Sequence, residues 1–210
     1  MNNRFYLACF RDNVGSNIAF HGIKGCGYPT DVNQAKEYSL EEAQRAWEGG
    51  REYDQPMSAD HVDCMLVSKV DCQVLPIETT IVPDCNKYVA YRRGNWDGND
   101  VYWLTDKQGD VDFSNAKIFT AAQIISDEQL VYLPFDMVDK LKRSTFSYSK
   151  FNKRIMVQGA GLRVPDRVKK NARRKSNPKI RWNCPACGKL NWQLNPYDFD
   201  GCSDASCDHG

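Results

Sequence analysis

Long hydrophobic runs are missing from this sequence. No apolar stretch approaches the roughly 20 residues that a membrane-spanning helix needs. The apolar residues near the first methionine are too few for a secretory signal peptide, because Arg11 and Asp12 interrupt them. The remaining composition, with 26% charged and 41% hydrophobic residues, is that of an ordinary soluble domain. We therefore expect a cytoplasmic protein without a membrane partner.

The sequence also lacks the motifs of common catalytic sites. Its three histidines, His21, His61 and His209, lie far apart, and none has the spacing of a catalytic metal motif. No Gly-x-Ser-x-Gly motif is present, and Gly159-Ala-Gly161 does not continue into a phosphate-binding loop. We interpret the frequent carboxylates of the first half as a solvated face, with a nuclease-like acidic cluster as the alternative; examples are Asp60, Asp63 and Asp71. We predict that the protein is not an enzyme.

Most of the nine cysteines do not indicate a disulfide framework. Five of them are scattered through strand-like sequence: Cys9, Cys26, Cys64, Cys72 and Cys85. An odd and scattered set fits reduced thiols in a core better than paired disulfides. We therefore predict reduced core thiols at these positions.

The remaining four cysteines have the layout of a zinc site. The first pair, in Cys-Pro-Ala-Cys-Gly, presents two sulfurs to one tetrahedral ion, and the glycine permits the tight turn. The second pair has the longer Cys-x4-Cys spacing, so His209 is an alternative ligand to Cys207. Disulfide bonds or free thiols would also use four cysteines, but four thiols crowd a segment too short to bury a core. We predict a zinc ribbon over residues 182–210 that binds one structural zinc ion through Cys184, Cys187, Cys202 and Cys207.

Charges of the two signs are separated along the chain, although the net charge is only +1. Residues 1–139 have a net charge of −10, residues 140–181 of +14, and residues 182–210 of −3. Such segregation indicates three physically different pieces. We predict an acidic α+β body over 1–139, a basic linker over 140–181, called the basic segment below, and the zinc ribbon.

The acidic body matches itself when the sequence is shifted by 81 residues. The matched segments are Phe10-Arg11 with Tyr91-Arg92, Asp31 with Asp112, and 35–39 with 116–120. Residues 74–78 resemble 132–136 at a smaller shift of 58 residues, which implies an insertion of 23 residues between the helix and the last strand of the first copy. We predict two tandem ββαβ-like units, at about 4–80 and 87–138.

Each predicted unit has two strands, a loop, a helix that begins after a hydroxyl cap, and a third strand that ends in Leu-Pro. Ser39 and Glu42 have capping-box spacing in the first unit, and Thr120 replaces Ser39 before a shorter helix in the second. A further pattern comprises Gly27-Tyr28-Pro29-Thr30-Asp31, Ala35, Tyr38, Ser39, Glu41, Glu42 and Ala43. This pattern resembles a short ββα module of phage-encoded accessory proteins, most of which lack an assigned activity. The resemblance implies a phage or prophage origin, and hence the host cytoplasm, but no mechanism.

The basic segment interleaves cations with aromatic rings, and the predicted zinc ribbon follows it. Dense cations neutralise phosphates and rings stack on unpaired bases, so the pattern favours DNA or RNA as the partner. A basic helix is predicted from Pro165, with Asp166 in its first turn. The candidate nucleic-acid-binding residues are Lys150, Lys153, Arg154, Arg163, Arg167, Lys169, Lys170, Arg173, Arg174, Lys175, Lys179, Arg181 and Trp182. A solvated linker, or a basic face that docks on the protein's own acidic body, would fit the same composition.

Two functions are compatible with these patterns. The first is a phage or prophage accessory protein that associates with nucleic acid, or with a host complex that handles nucleic acid, through the basic segment and the zinc ribbon. The frequent use of zinc ribbons in nucleic-acid machinery supports it by analogy. The alternative is an inhibitor of host defence or transcription that binds a protein through its acidic body and binds no nucleic acid.

Overall fold

The computed structural model describes residues 4–173, 179–195 and 197–209. Contacts divide the chain into two units, one that ends at Arg163 and one that begins at Val164. We call them the compact unit and the ribbon unit. The described residues form a mixed α+β architecture with small antiparallel sheets and few helices.

Most strands and helices belong to the compact unit. In chain order they are β1 (Phe5–Val14), β2 (Asn17–Phe20), β3 (Glu37–Tyr38), α1 (Leu40–Gly49), β4 (Asp54–Ser58), α2 (Ala59–Asp63), β5 (Val67–Lys69), β6 (Tyr88–Asp97), β7 (Asp100–Trp103), β8 (Leu130–Pro134), α3 (Phe135–Asp139) and β9 (Arg143–Thr145). Those of the ribbon unit are α4 (Asp166–Arg173), β10 (Ile180–Asn183) and β11 (Leu190–Gln193).

The first sheet is built around β1, which pairs antiparallel with β2, β3 and β4. Ala8 lies opposite Phe20 in the β1–β2 hairpin. The first five residues of β1 and all four of β2 are buried. Side chains alternate between the two faces of a strand, so both faces of this sheet are covered by other parts of the chain.

Helix α1 lies on the first sheet and begins where the sequence predicts. The Ser39 side chain accepts a hydrogen bond from the Glu42 N–H, and the Glu42 carboxylate accepts one from the Ser39 N–H. This reciprocal capping box satisfies two of the N–H groups that a helix start leaves unpaired. Ala43 and Trp47 are the buried side chains of the helix.

The second sheet is built around β6, which pairs antiparallel with β7 and β8. Tyr91 lies opposite Trp103, and the Trp103 ring makes edge-to-face contacts with Tyr91 at 5.9 Å and Phe113 at 5.1 Å. These rings form the centre of a buried apolar core. Thr120 precedes only a single 3₁₀ turn, Ala121–Gln123, so the predicted shorter helix is confirmed as one turn.

The two sheets correspond at a different shift from the predicted one. The pair Ala8 and Phe20 has its counterpart in Tyr91 and Trp103, two residues further apart than the match of Arg11 with Arg92 implies. The loop that follows β2 is two residues longer than the loop that follows β7, since 3₁₀ helices begin after Asp31 and Asp112. The predicted shift therefore holds only from these caps onward.

The predicted third strand of the first unit is wrong. Cys72–Val74 is a 3₁₀ helix, and the strand that pairs with β1 is β4, which lies inside the predicted 23-residue insertion. Each of β4 and β8 leads directly into a short helix, α2 or α3. The Leu-Pro likeness misled because Leu75 is buried from a connecting segment and not from a strand.

A short antiparallel pair, β5 with β9, connects the two sheets. Beyond β9, Ser147 bridges to Asn17 at the start of β2. Beyond β5, Asp71 bridges to Asp100 at the start of β7. Each sheet is therefore joined to this pair by backbone hydrogen bonds.

Buried charges lie beside the β5–β9 pair. Lys69 of β5 is 2% exposed, and its Nζ lies 3.1 Å from Asp97 and 3.3 Å from Asp100. Arg143 of β9 pairs with the same Asp100, whose side chain is fully buried, and donates to the Thr30 hydroxyl at 2.7 Å. Removing an ion from water costs several kcal/mol unless a partner compensates, so this network depends on all of its members.

The first half of the basic segment belongs to the compact unit. Strand β9 is part of it, and four apolar residues behind it are buried: Phe146, Met156, Val157 and Leu162. Gln44 of α1 exchanges two hydrogen bonds of 2.9 Å with the backbone of Arg163. The compact unit therefore extends beyond residue 139 to Arg163. Arg143 docks on the acidic body, as the self-docking hypothesis anticipates.

All nine cysteines are free of disulfide bonds. Of the five scattered ones, Cys9 is buried, Cys26 and Cys64 are exposed, and Cys72 and Cys85 are half-buried. The prediction of a core position is therefore right for Cys9 and wrong for the other four.

Asp54, the first residue of β4, carries another buried charge. It accepts hydrogen bonds from Arg51 at 2.9 and 3.0 Å and lies 3.2 Å from Nε2 of His21. Arg51 also stacks on the rings of Tyr28 and Tyr53. Burial raises the pKa of Asp54, but the hydrogen bonds from Arg51 and His21 outweigh it and hold the pKa below its ordinary value of 3.8.

The Asp54 cluster predicts a pH dependence of stability. A carboxyl whose pKa is lowered by folding adds stability above its unfolded pKa, and this contribution is lost as the pH falls through the folded pKa. We therefore expect Asp54→Asn to lower the free energy of unfolding at pH 7, and the difference from the wild type to shrink below about pH 3.8. Urea unfolding at several pH values measures this. A difference that is constant from pH 7 to pH 3 would contradict the assignment.

The buried charges at the β5–β9 pair predict a large mutational effect. Asp100→Asn removes the charge that faces Lys69 and Arg143, and we expect it to cost about 3 to 5 kcal/mol of stability. The matched control is Asp106→Asn, because Asp106 is 83% exposed and pairs with Lys117 at 2.9 Å. An exposed pair is worth at most about 1 kcal/mol. Equal losses for the two variants in urea unfolding would refute the network's role.

Candidate metal centre and basic surfaces

The four C-terminal cysteines converge beside the β10–β11 ribbon. Their sulfur atoms all lie within 4.8 Å of one another. The Sγ of Cys184 is 3.7 Å from that of Cys207, and the Sγ of Cys187 is 3.6 Å from that of Cys202. Four sulfurs bound tetrahedrally at about 2.3 Å from one ion would be separated by about 3.8 Å. The group can therefore hold one tetrahedral metal ion.

Backbone turns place these sulfurs. The Gly188 N–H donates to the Cys184 carbonyl at 2.8 Å, and the φ of 73° at Gly188 lies in the left-handed region that favours glycine. The Cys184 N–H donates to the Lys189 carbonyl at 2.8 Å, which closes the turn between the strands. In the second pair, the Cys202 N–H donates to the His209 carbonyl. The turn that the Cys-Pro-Ala-Cys-Gly motif predicts is therefore present.

The surroundings of the thiols determine which of them ionises most easily. The Cys187 N–H, together with that of Ala186 and the adjacent thiols, lowers the pKa of Cys184 to about 6. The Lys189 N–H lowers the pKa of Cys187, but desolvation and the three other thiols outweigh it and raise that pKa to about 12. Thiolates this close repel one another, so a cation among them is needed to keep all four deprotonated.

Cys207, and not His209, completes the group of four ligands. The His209 ring instead makes an edge-to-face contact with Phe199, with ring centroids 6.5 Å apart. Asn191 stabilises the other side of the site, because its side-chain carbonyl accepts from the Ser203 N–H at 2.7 Å. Such contacts around the ligands orient the segment that carries Cys202.

The predicted nucleic-acid-binding cations are distributed over both units. Those in the compact unit are exposed: Lys150, Lys153, Arg154 and Arg163. In the ribbon unit, helix α4 begins at Asp166 as predicted and carries Arg167, Lys169 and Lys170, while Lys179 and Arg181 lie in or next to β10. The side chain of Arg173, and residues Arg174 and Lys175, lie outside the described residues.

Trp182, the aromatic residue of the predicted binding set, does not supply the exposed ring of the ribbon. It is half-buried, its indole Nε1 is buried, and its ring lies 6.3 Å from that of Phe199. The exposed ring belongs to Trp192, which is 52% exposed and which the sequence patterns did not single out. Side chains of a strand alternate between faces, but only the strand register shows which of the two tryptophans faces outward.

Comparison with known proteins finds no matching family model, no matching curated protein and no matching solved structure. The resemblance to a phage accessory module therefore stays a prediction. The structure gives residues of that module packing and capping roles, since Asp31 caps a 3₁₀ helix, Ser39 caps α1 and Ala43 is buried. Among the described residues, none of the helices has the length and apolar character that a bilayer crossing requires.

The centre predicts one bound metal ion per chain. We expect the Cys184→Ser/Cys187→Ser variant to lose the ion and Cys207→Ala to weaken its binding, because each change removes a thiolate ligand. Metal analysis of the purified protein, and the visible spectrum of a tetrahedral Co²⁺ thiolate after exchange, measure this. The matched control is Cys26→Ser/Cys64→Ser, which changes two exposed cysteines outside the group. Full metal retention without Cys184 and Cys187, or a larger loss for His209→Ala than for Cys207→Ala, would contradict the ligand set.

Proposed function

We propose that the protein holds one zinc ion in its four-cysteine centre and associates with nucleic acid through the basic segment and the ribbon. Four thiolates in tetrahedral arrangement are a usual donor set of structural zinc, and they leave no open position for catalysis. The bound ion replaces the apolar core that so small a unit does not form. We also keep the hypothesis of a phage or prophage accessory protein, which rests on the resemblance of the first unit.

The observation that carries the nucleic-acid proposal is a set of exposed cations around an exposed ring in the compact unit. Tyr148 is 55% exposed, and its ring is held edge-to-face by Phe10 at 5.7 Å. Lys150, Lys153 and Arg154 follow within six residues and are exposed. We call these four residues, Tyr148 and the three cations, the Tyr148 patch.

The cations of the Tyr148 patch are available for an external anion. Among the described residues, no carboxylate pairs with them, whereas the nearby Lys142 pairs with Asp139 at 2.6 Å and Arg143 with Asp100. Cations that keep no internal partner supply the counterion release that drives phosphate binding. A basic surface of this kind, interleaved with a ring, favours a nucleic-acid backbone over a protein.

The local backbone presents the patch outward. Arg154–Gln158 forms a π-helical turn, whose Met156 and Val157 are buried. These two apolar side chains fix the turn on the compact unit, so Lys153 and Arg154 remain on the outer side. Single π-helical turns occur frequently at functional sites.

We further infer that the compact unit arose by duplication of a ββαβ-like unit. Equivalent backbone hydrogen bonds in the two sheets support this: His21 N–H to Leu7 and Leu104 N–H to Ala90, Ala59 N–H to Arg4 and Phe135 N–H to Lys87, Phe10 N–H to Tyr53 and Arg93 N–H to Gln129. In this correspondence the 3₁₀ helix Cys72–Val74 of the first copy matches Tyr148–Lys150 of the second. The first lacks a cation, so the Tyr148 patch is a feature of the second copy alone.

A salt titration tests the nucleic-acid proposal. If each cation of the patch meets one phosphate, the variant with Lys150, Lys153 and Arg154 changed to Ala should flatten the log–log salt slope of binding by about two units on single strands and about three on duplex DNA. Fluorescence anisotropy with labelled oligonucleotides of both kinds measures this. Metal content and the circular dichroism spectrum should be unchanged, because all three side chains are exposed.

The matched control changes Lys24, Lys87 and Lys107 to Ala, which removes the same charge from exposed positions outside the basic segment. Its salt slope should equal that of the wild type. Equal flattening by the two triple variants would show that only net charge matters and would contradict a patch. If the wild type shifts neither single-stranded nor duplex probes at low salt, the nucleic-acid proposal fails and the protein-inhibitor hypothesis takes its place.

A further inference from the structure

The two strands of the ribbon have unequal faces. Arg181 lies opposite Trp192 and Asn183 opposite Leu190, so these four side chains share one face. Trp182 and Asn191 lie opposite each other on the other face, which is the buried side. The outward face therefore combines one cation, one polar side chain and two apolar ones.

The inner face holds the ribbon in place. Gln193 is buried, and its Nε2 donates to the backbone carbonyls of Asn195 and Asp198. Its Oε1 accepts from the Asp200 N–H at 2.9 Å. Together with the sulfur centre, these contacts anchor β11 from behind. Trp192 is consequently presented on a rigid strand, which lowers the entropy that binding must overcome.

The outward face is both aromatic and basic. Trp192 is 52% exposed, and Leu194, next in the alternation, is 64% exposed. Arg181 stands across from the indole, and Lys179 borders a shallow cavity of about 520 Å³ beside it. Asp200 and Ser203 also line this cavity and supply hydrogen-bonding groups. A flat ring beside two cations matches a flat base that carries a phosphate.

We propose that this face is a stacking site for an unpaired base, with Trp192 against the base and Arg181 against the adjoining phosphate. The inference rests on the proposed nucleic-acid association and names its substrate as a single strand. In a duplex both faces of each base are covered by its neighbours, so the indole reaches a base only in an unpaired strand. The compact unit's cations bind phosphates of either form, whereas the ribbon discriminates between them.

The test compares variants of the full-length, metal-loaded protein on a labelled oligothymidine and on a duplex of equal length. Loss of one base–aromatic stack weakens binding by about five- to 140-fold, so we expect this loss for Trp192→Ala on the single strand and little change on the duplex. Trp192→Phe, which keeps a ring, should recover most of the affinity. Arg181→Ala should lower the salt slope on the single strand by about 0.7.

The matched control is Leu194→Ala, which removes an exposed apolar side chain from the same face without removing a ring. It should bind the single strand as the wild type does. Metal content of every variant shows that the ribbon is intact. Wild-type affinity of Trp192→Ala for the oligothymidine, equal losses on both probes, or an equal loss for Leu194→Ala would each overturn the stacking site. Wild-type binding that responds to the triple cation variant would then leave the broader nucleic-acid proposal standing, whereas no wild-type binding at all would overturn both.

Discussion

Asp100 is the constraint on which the compact unit depends, because one buried carboxylate faces cations from two different parts of the chain. Lys69 precedes the second sheet in sequence, and Arg143 follows it. The two strands that carry them, β5 and β9, pair only with each other. A displaced β9 would therefore leave buried charges without partners, which is far more costly than the loss of a surface ion pair. The same pairing brings the chain after β9, with Tyr148 and its neighbouring cations, to the surface of the compact unit.

The two units are stabilised by different means. The compact unit buries aromatic and aliphatic side chains on its two sheets, with Trp47 over the first and Trp103 within the second. The ribbon unit has one short two-stranded sheet, which is marginal alone in water. Its four converging thiols supply what the apolar surface does not, because a metal bound only in the folded state adds its binding free energy to folding.

Local chemistry was readable from the sequence wherever neighbouring residues decide it. The capping box at Ser39 and Glu42 and the start of α4 at Asp166 both follow from backbone groups that must be satisfied within one turn. The convergence of four cysteines was likewise readable, since two short-spaced pairs of thiols have few other uses in so short a segment. Pairing over long distances was not readable. Strand β4 was missed because its sequence, Asp-Gln-Pro-Met-Ser, has no clear alternation of polar and apolar residues.

The sequence by itself determined the mixed α+β class, the caps and the metal-ligand set, because each depends on residues close together along the chain. Only the tertiary structure decided that the basic segment is divided at Arg163, that Arg143 serves the fold while Lys150, Lys153 and Arg154 face solvent, and that Trp192 is the exposed ring of the ribbon and Trp182 is not. The physical reason is that burial and strand register are set by contacts between distant segments. A cation reads the same in sequence whether a buried carboxylate or water surrounds it.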